Sequence, residues 1–293
     1  MSELELLAKE FDARRGHLRA VAYRMLGSRS EADDAVQDAW LRASRAGIGG
    51  VENLGGWLTT VVARVCLNLL RSRASRREQP LDVHVPDPVV SRADENDPEH
   101  AAVLADSVGL ALLVVLDTLA PAERLAFVLH DSFSVPFDEI ADILGTSTAA
   151  ARQLASRARR RVQAAPVPDA DLARQRTVVD AFFAASRNGD FAALVAVLDP
   201  DVVLRSDGGL ARPGISTVLR GSETVAAQAI TFGQLAPHVR SALVNGAAGV
   251  VVAPQGRTLS IMGFSVSNGK IVAIDVLADP ERLDELGLGT WED

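Results

Sequence analysis

Residues 134–162, SVPFDEIADILGTSTAAARQLASRARRRV, constrain the fold more than any other stretch. Phe137, Ile140, Ala141 and Leu144 recur at helical spacing and give a first helix one apolar face. Gly145 can adopt the positive φ that ends it, and Ser147 or Thr148 is a good N-cap for a second helix. Ala151, Leu154 and Ala158 then form a new apolar stripe. Two short helices around a tight turn are the pattern of a helix-turn-helix. Arg152, Gln153, Ser156 and Arg157 fall near one polar face, and Arg159, Arg160 and Arg161 trail behind them. Arg and Gln suit base edges in a major groove, and the trailing arginines suit phosphates. The competing reading is a plain helical hairpin with a solvated basic end; pattern, turn and charge together favour DNA.

The rest of the 293 residues must supply partners for that hairpin, and the length allows two or three domains. Hydrophobic residues make up 48%, yet no run approaches a membrane span. The acidic, amphipathic start MSELELLAKEF is unlike a secretory signal, and the lone Cys66 rules out an internal disulfide. Both point to a reducing cytoplasm. The five histidines are scattered without metal-ligand spacing, so neither a metal nor a cofactor is expected. A net charge of −8 argues against nonspecific DNA binding, but its distribution matters more than its sum. Arg71, Arg73, Arg76 and Arg77 cluster in one place, the arginines after 152 in another, and acids gather at Glu31–Asp38 and Asp94–Glu99. Two separated basic patches suggest bipartite contact with nucleic acid, leaving an acidic face for something else.

Taken in order, residues 4–26 read as a helix closed by Gly27, and Ser30 caps the next, SEADDAVQDAWLRASRA. There Ala32, Ala35, Val36, Ala39, Trp40 and Ala43 can face inward, leaving Asp33, Asp34, Gln37, Asp38 and Arg42 on the polar side. On the residues alone this face is either a docking surface or a solvated helix stabilised by N-terminal carboxylates. Asn53, Gly55 and Gly56 mark a loop before a helix from Trp57 to Arg73 with a basic C-terminal end. Basic residues there suit the helix dipole, but four arginines in seven positions exceed that need, so phosphate contact is expected. Residues 79–97, QPLDVHVPDPVVSRADEND, have prolines, acids and no helical period and read as a linker. Pro98–Leu116 and Thr118–Asp131 are predicted helices, and residues 164–171 form a second linker. After it, helices at Leu172–Arg187, Phe191–Leu198 and Thr224–Leu235 accompany β-branched runs with hairpin turns at Asn245-Gly246 and Asn268-Gly269. Helices on one curved antiparallel sheet make an α+β domain.

The ordered set DDAVQDAWLRA, WLTTVVARVCLNLLRSRASRRE, acidic linker and helix-turn-helix resembles an extracytoplasmic-function sigma factor. Residues 1–78 resemble sigma region 2 and 98–163 region 4, and 172–293 resemble a SnoaL-like domain of the nuclear-transport-factor-2 (NTF2-like) type. The implied architecture is two all-α helical domains followed by an α+β domain with a curved antiparallel sheet, joined by linkers at 79–97 and 164–171. The resemblance implies a cytoplasmic partner of core RNA polymerase and promoter DNA, with no membrane association. It places Asp33, Asp34, Gln37 and Asp38 on the β′ clamp helices, and region 4 at the β flap. It sets Trp57, Arg64, Asn68, Arg71, Arg73, Arg76 and Arg77 against the −10 element, where capture of an extruded base stabilises melted DNA. Arg64 stands where many relatives have Asn. Arg152, Gln153, Ser156, Arg157 and Arg160 fall where the family reads the −35 element.

In the C-terminal part, Asp207, Gly208 and Gly209 match the start of a DGGGK-like motif, with Leu210 and Ala211 replacing its end. Asp279, Pro280, Glu281, Arg282 and Leu283 resemble an NPDKL-like motif, and PLDVHVPDPV loosely matches a WLPEP-type segment. The resemblance implies regulation in cis by this domain, with no separate anti-sigma factor. On the residues alone, Asp207-Gly208-Gly209 is equally a simple turn, and Asp279-Pro280 a helix start. Two further readings stay open. In one, the C-terminal domain is a small-molecule sensor, or an enzyme with Asp207, Asp275 and His238 as the acid/base candidates. In the other, the chain is a helix-turn-helix regulator independent of polymerase.

Overall fold

A capping box opens the chain: the Ser2 hydroxyl accepts from the Glu5 amide while the Glu5 carboxylate accepts from the Ser2 amide. The helix it starts, α1 (Glu3–Leu26), ends at Gly27 in the left-handed region. The computed structural model describes residues 2–76, 83–92 and 109–291, divided into two units. One unit is formed by residues 1–80 and 113–165, the other by 81–112 and 166–293.

In the first unit α1 packs with α2 (Arg29–Ala46) and α3 (Leu54–Arg76). Leu18, Val21, Met25, Ala32, Ala39, Val62 and Cys66 are sealed between them, and Phe11 meets Trp40 at 5.1 Å between ring centroids. Burial pushes the Cys66 thiol up to about 12, opposed only in part by the Arg124 charge, so it is an inert core group. The expected loop at Gly55 and Gly56 is instead the first turn of α3. Asn53 Oδ1 accepts from the Gly56 amide at 3.0 Å, and a Cβ at Gly55 would run into the Arg14 guanidinium. Gly55 is buried beneath the Arg14 side chain and belongs to the helix rather than to a loop.

Of the helix expected at 98–116, residues 98–108 lie outside the described residues, and α4 runs Leu110–Asp117. α5 (Pro121–Phe127) continues into a π turn at Val128–Ser132. The hairpin follows as α6 (Phe137–Leu144) and α7 (Thr148–Ala164). Gly145 ends α6 at φ 67°, and the Ser147 hydroxyl accepts from the Ala150 amide at 3.2 Å. Ala151, Ala155 and Ala158 are the buried stripe of α7, with Leu154 at its edge, so small side chains let α7 sit close on its neighbours. Arg124, 1% exposed, fastens this half to the α1 end: Nε donates to the Arg24 carbonyl at 3.2 Å and Nη1 to Asp117 Oδ1 at 3.0 Å. The Phe133 ring stands edge-on to His17 and under the Arg24 guanidinium.

Among its described residues the second unit holds a seven-stranded sheet in the order β1-β4-β5-β6-β7-β2-β3. Its strands are β1 (Val90–Arg92), β2 (Leu198–Asp207), β3 (Thr217–Arg220), β4 (Val239–Val244), β5 (Ala247–Val252), β6 (Ser260–Ser267) and β7 (Lys270–Leu277). The helices α8 (Leu172–Asn188), α9 (Phe191–Val197) and α10 (Ser222–Thr231) cover one face, and α11 (Pro280–Glu285) follows β7. Asn245-Gly246 and Asn268-Gly269 both have positive φ at each residue, the condition for two-residue hairpins. The sheet departs from pure antiparallel order at one pair: β2 runs parallel to β7. They are far apart in sequence, and the long connection through β3 to β6 permits what a tight turn cannot. Arg176 ties α8 to the sheet by donating to the carbonyls of Gly249 and Ala242 at 3.0 and 2.8 Å, and burial draws its pKa down.

Candidate nucleic-acid interface

The buried alanines of α2 fix which side of that helix meets solvent. Asp34 and Gln37 are exposed, and Asp33 and Asp38 are half exposed beside them. Asp33 pairs with Arg19 at 2.8 Å and Asp38 with Arg42 at 2.8 Å. Exposed pairs of this kind are worth about 0–1 kcal/mol, so either carboxylate can change partner cheaply.

On α3 the same logic leaves a stripe outside. Trp57 is partly buried, and Arg64, Asn68 and Arg71 are exposed along one face at spacings of seven, four and three residues. Arg73 does not belong to it. Its guanidinium donates to the Leu26 carbonyl at 3.1 Å and pairs with Glu31, so the side chain is spent on joining α3 to the α1–α2 corner. Sequence position next to Arg71 hid this, because two residues along a helix turn the side chain to a different face. Arg76 closes α3, and Arg77 lies outside the described residues.

On α7, Arg152, Gln153, Ser156, Arg157 and Arg160 are all exposed on the side opposite Ala151, Ala155 and Ala158. Arg157 and Arg161 reach the buried Glu123 at 3.2 and 3.3 Å, and Arg159 pairs with Asp131 at 2.6 Å. Arg152 lies 5.7 Å over the Phe137 ring. The surface left for a duplex is therefore centred on Arg152, Gln153, Ser156 and Arg160, with Arg157 sharing its charge with Glu123.

In the second unit, the apolar, proline-bearing segment 83–92 is seated on the sheet. Val85, Asp87, Val89, Val90 and Ser91 are buried. Arg282 of α11 is the centre of a clasp: Nη1 donates to Asp207 Oδ2 at 2.7 Å, Nε to Asp87 Oδ1 at 2.7 Å and Nη2 to the Val85 carbonyl at 2.6 Å. The Val85 amide donates back to Asp207 Oδ2 at 3.0 Å. Further along, the Asn245 side chain accepts from the Val89 amide at 3.0 Å, its own amide donates to the Val89 carbonyl at 2.7 Å, and β1 pairs with β4. Arg92 donates to the Thr290 carbonyl at 2.8 Å and stands over the Trp291 ring.

The Asp207-Gly208-Gly209 and Asp279-Pro280 segments meet at this clasp. Asp279 caps α11 by accepting from the Glu281 amide at 3.0 Å, and so aims Arg282 at Asp207. A Cβ at Gly209, which has φ 60°, would strike the Asp279 carboxylate, so the turn must be glycine there. Leu283 is buried with Val90, Leu110 and Trp291 on the same face. Asp87 and Asn245 are working residues that sequence reasoning missed, and Arg282 lay inside the NPDKL-like motif without being singled out. The available signal was the apolar run VHVPDPVV inside an otherwise acidic linker.

The opposite face of the sheet holds a cavity of about 200 Å³, lined by Phe182, Phe183, Phe232 and Met262, with Ser206 and Arg212 at one end. None of Asp207, Asp275 and His238 lines it. Asp275 is on the other face, 3.1 Å from Arg205, and burial raises its pKa against the pull of that arginine. The acid/base trio considered for an enzyme is thus not gathered on the cavity, because strand alternation sends 205, 207 and 275 away from 204, 206 and 276.

Residues 11–76 match the Sigma-70 region 2 family and 109–162 the Sigma-70 region 4 family. The chain is 41% identical over 288 residues to the ECF RNA polymerase sigma factor SigJ of Mycobacterium tuberculosis, covering 93% of this chain and 92% of that protein. It is 36% identical over 291 residues to the probable ECF RNA polymerase sigma factor SigI of the same species, covering 98% of each. The crystal structure of M. tuberculosis SigJ superposes with a TM-score of 0.74 at 37% identity, over 94% of this chain and 98% of that one.

Proposed function

The chain belongs to the extracytoplasmic-function RNA polymerase sigma factors, and from that membership we propose how its surfaces divide the work of promoter-specific initiation. A sigma factor binds core RNA polymerase and promoter DNA. The carboxylate face of α2, Asp33, Asp34, Gln37 and Asp38, is the surface for the β′ clamp helices, and the region 4 half engages the β flap. The α3 stripe of Trp57, Arg64 and Asn68 faces the −10 element, with Arg71, Arg76 and Arg77 on its phosphates. The exposed side of α7 reads the −35 element. The observation that carries this assignment is the distribution of charge: the carboxylates of α2 gather at Glu31–Asp38, whereas α3 and α7 carry arginines and no carboxylate.

Elements 25 base pairs apart lie roughly 85 Å apart along B-DNA at about 3.4 Å per step. A unit of 133 residues has a radius of gyration of only about 14 Å. The Arg124 and Phe133 contacts that join the region 2 and region 4 halves must therefore open before both elements are read. The C-terminal domain regulates this in cis through its hold on residues 85–92, in place of a separate anti-sigma factor.

The α2 assignment is tested by charge reversal. Asp34→Lys together with Asp38→Lys is expected to lower affinity for core enzyme at least tenfold while leaving the helical content unchanged. Unchanged association with core would overturn it.

A further inference from the structure

Resting on the reading that the C-terminal domain acts through residues 85–92, we propose that its cavity binds a small apolar carboxylate, held by Arg212, and that occupancy loosens the clasp. The cavity is walled by aromatic and aliphatic side chains and is smaller than the roughly 300–1,000 Å³ of drug-sized sites, so it fits a compact apolar body. Phe232, 46% exposed, and Gly214 stand at its open side. Arg212 is the one cation in its lining, and among the described residues it has no carboxylate partner. Its Nη1 donates instead to two backbone carbonyls, Leu259 at 3.3 Å and Ala278 at 3.2 Å, both long. A carboxylate would replace these with shorter, charge-assisted bonds about twice as strong. One guanidinium balances one negative charge, which favours a monocarboxylate over a phosphate.

The cavity and the clasp share the same strand ends. Ser206 and Ala278 line the cavity, and the next residues, Asp207 and Asp279, belong to the clasp on the other face. The Ala278 amide donates to the Asp207 carbonyl at 2.7 Å, and the Arg212 amide to the Gly208 carbonyl at 3.1 Å. When a ligand draws the guanidinium away, the Ala278 carbonyl loses a donor immediately before the Asp279 cap that aims Arg282. The hold on Val85 and Asp87 weakens in consequence, and by linkage release of the segment raises affinity for the ligand by the same factor.

The test uses the full chain with isovalerate, benzoate and phenylacetate as probes and 2-phenylethanol as the neutral counterpart. At least one acid is expected to bind saturably, one per chain, with 2-phenylethanol at least tenfold weaker. Arg212→Gln and the cavity-filling Ala229→Leu are each expected to weaken that binding at least tenfold. Hydrogen exchange at the Val85 and Val89 amides is expected to quicken severalfold at saturation. No saturable binding by any acid, or equal binding by both variants, overturns the site. Binding with unchanged exchange at these amides overturns the coupling. The underlying clasp is judged separately, by whether Arg282→Gln speeds Val85 exchange with no probe present.

Discussion

Arg73 and Arg71 stand two positions apart on α3 and have different tasks. Arg73 donates to the Leu26 carbonyl and pairs with Glu31, whereas Arg71 is exposed. Hydrogen bonds from a charged group contribute about 1.5–3 kcal/mol, so Arg73→Ala is expected to destabilise the first unit by about that amount in urea denaturation. The salt dependence of promoter binding should stay as it is; a loss of one phosphate contact from that slope would contradict the structural role. Asp275 makes a second residue-scale case. Burial raises its pKa above the ordinary 3.8, with Arg205 opposing. The folded chain then binds a proton that the unfolded chain has already released. Stability therefore falls as pH rises from about the unfolded value through the raised folded one, and is level above it. Asp275→Asn is expected to remove that fall from the curve of unfolding free energy against pH.

The helices carry the promoter-reading surfaces, and their exposed faces separate two kinds of contact. Arg71→Ala is expected to weaken binding to all promoter sequences alike and reduce the slope of log K against log salt by about one. Gln153→Ala is expected to relax discrimination at one −35 position, at a cost of about 1–3 kcal/mol for the preferred base. Competition binding across a promoter series at several salt concentrations separates the two, and a uniform loss for both would contradict the division. At this scale the sequence was most readable. α1, α6 and α7 announce themselves by period and caps, α2 by period with its cap at Ser28 rather than the expected Ser30, and the Asn-Gly turns place the hairpins of the sheet. Misreadings occurred where a residue answers to a remote neighbour. Gly55 looks like a loop because the Arg14 side chain that lies against it is 41 positions earlier. The parallel pairing of β2 with β7 leaves no mark on either strand, because period two is the same for both directions.

Across the whole molecule, the segment at 83–92 was the least legible part and has the most consequence. Its prolines, set among the acids of residues 79–97, read as a linker because nothing local satisfies them. Its hydrogen-bond partners, Asp207, Asn245 and Arg282, come more than a hundred residues later. The Asp207-Gly208-Gly209 turn and the Asp279-Pro280 helix start were each readable as local structure. Only the fold shows that they meet, and that what they hold is the chain joining the region 2 and region 4 halves. Breaking a buried ion pair by removing one partner costs about 3–5 kcal/mol, enough to free a short segment without unfolding a domain.

The most direct measurement is transcription from a cognate promoter with reconstituted core enzyme, comparing the full chain with Arg282→Gln and Asp207→Asn, alongside hydrogen exchange at Val85. Faster exchange at Val85 is expected in both variants, together with a severalfold change in promoter-specific transcript. Faster exchange with an unaltered transcript yield would contradict regulation through the clasp.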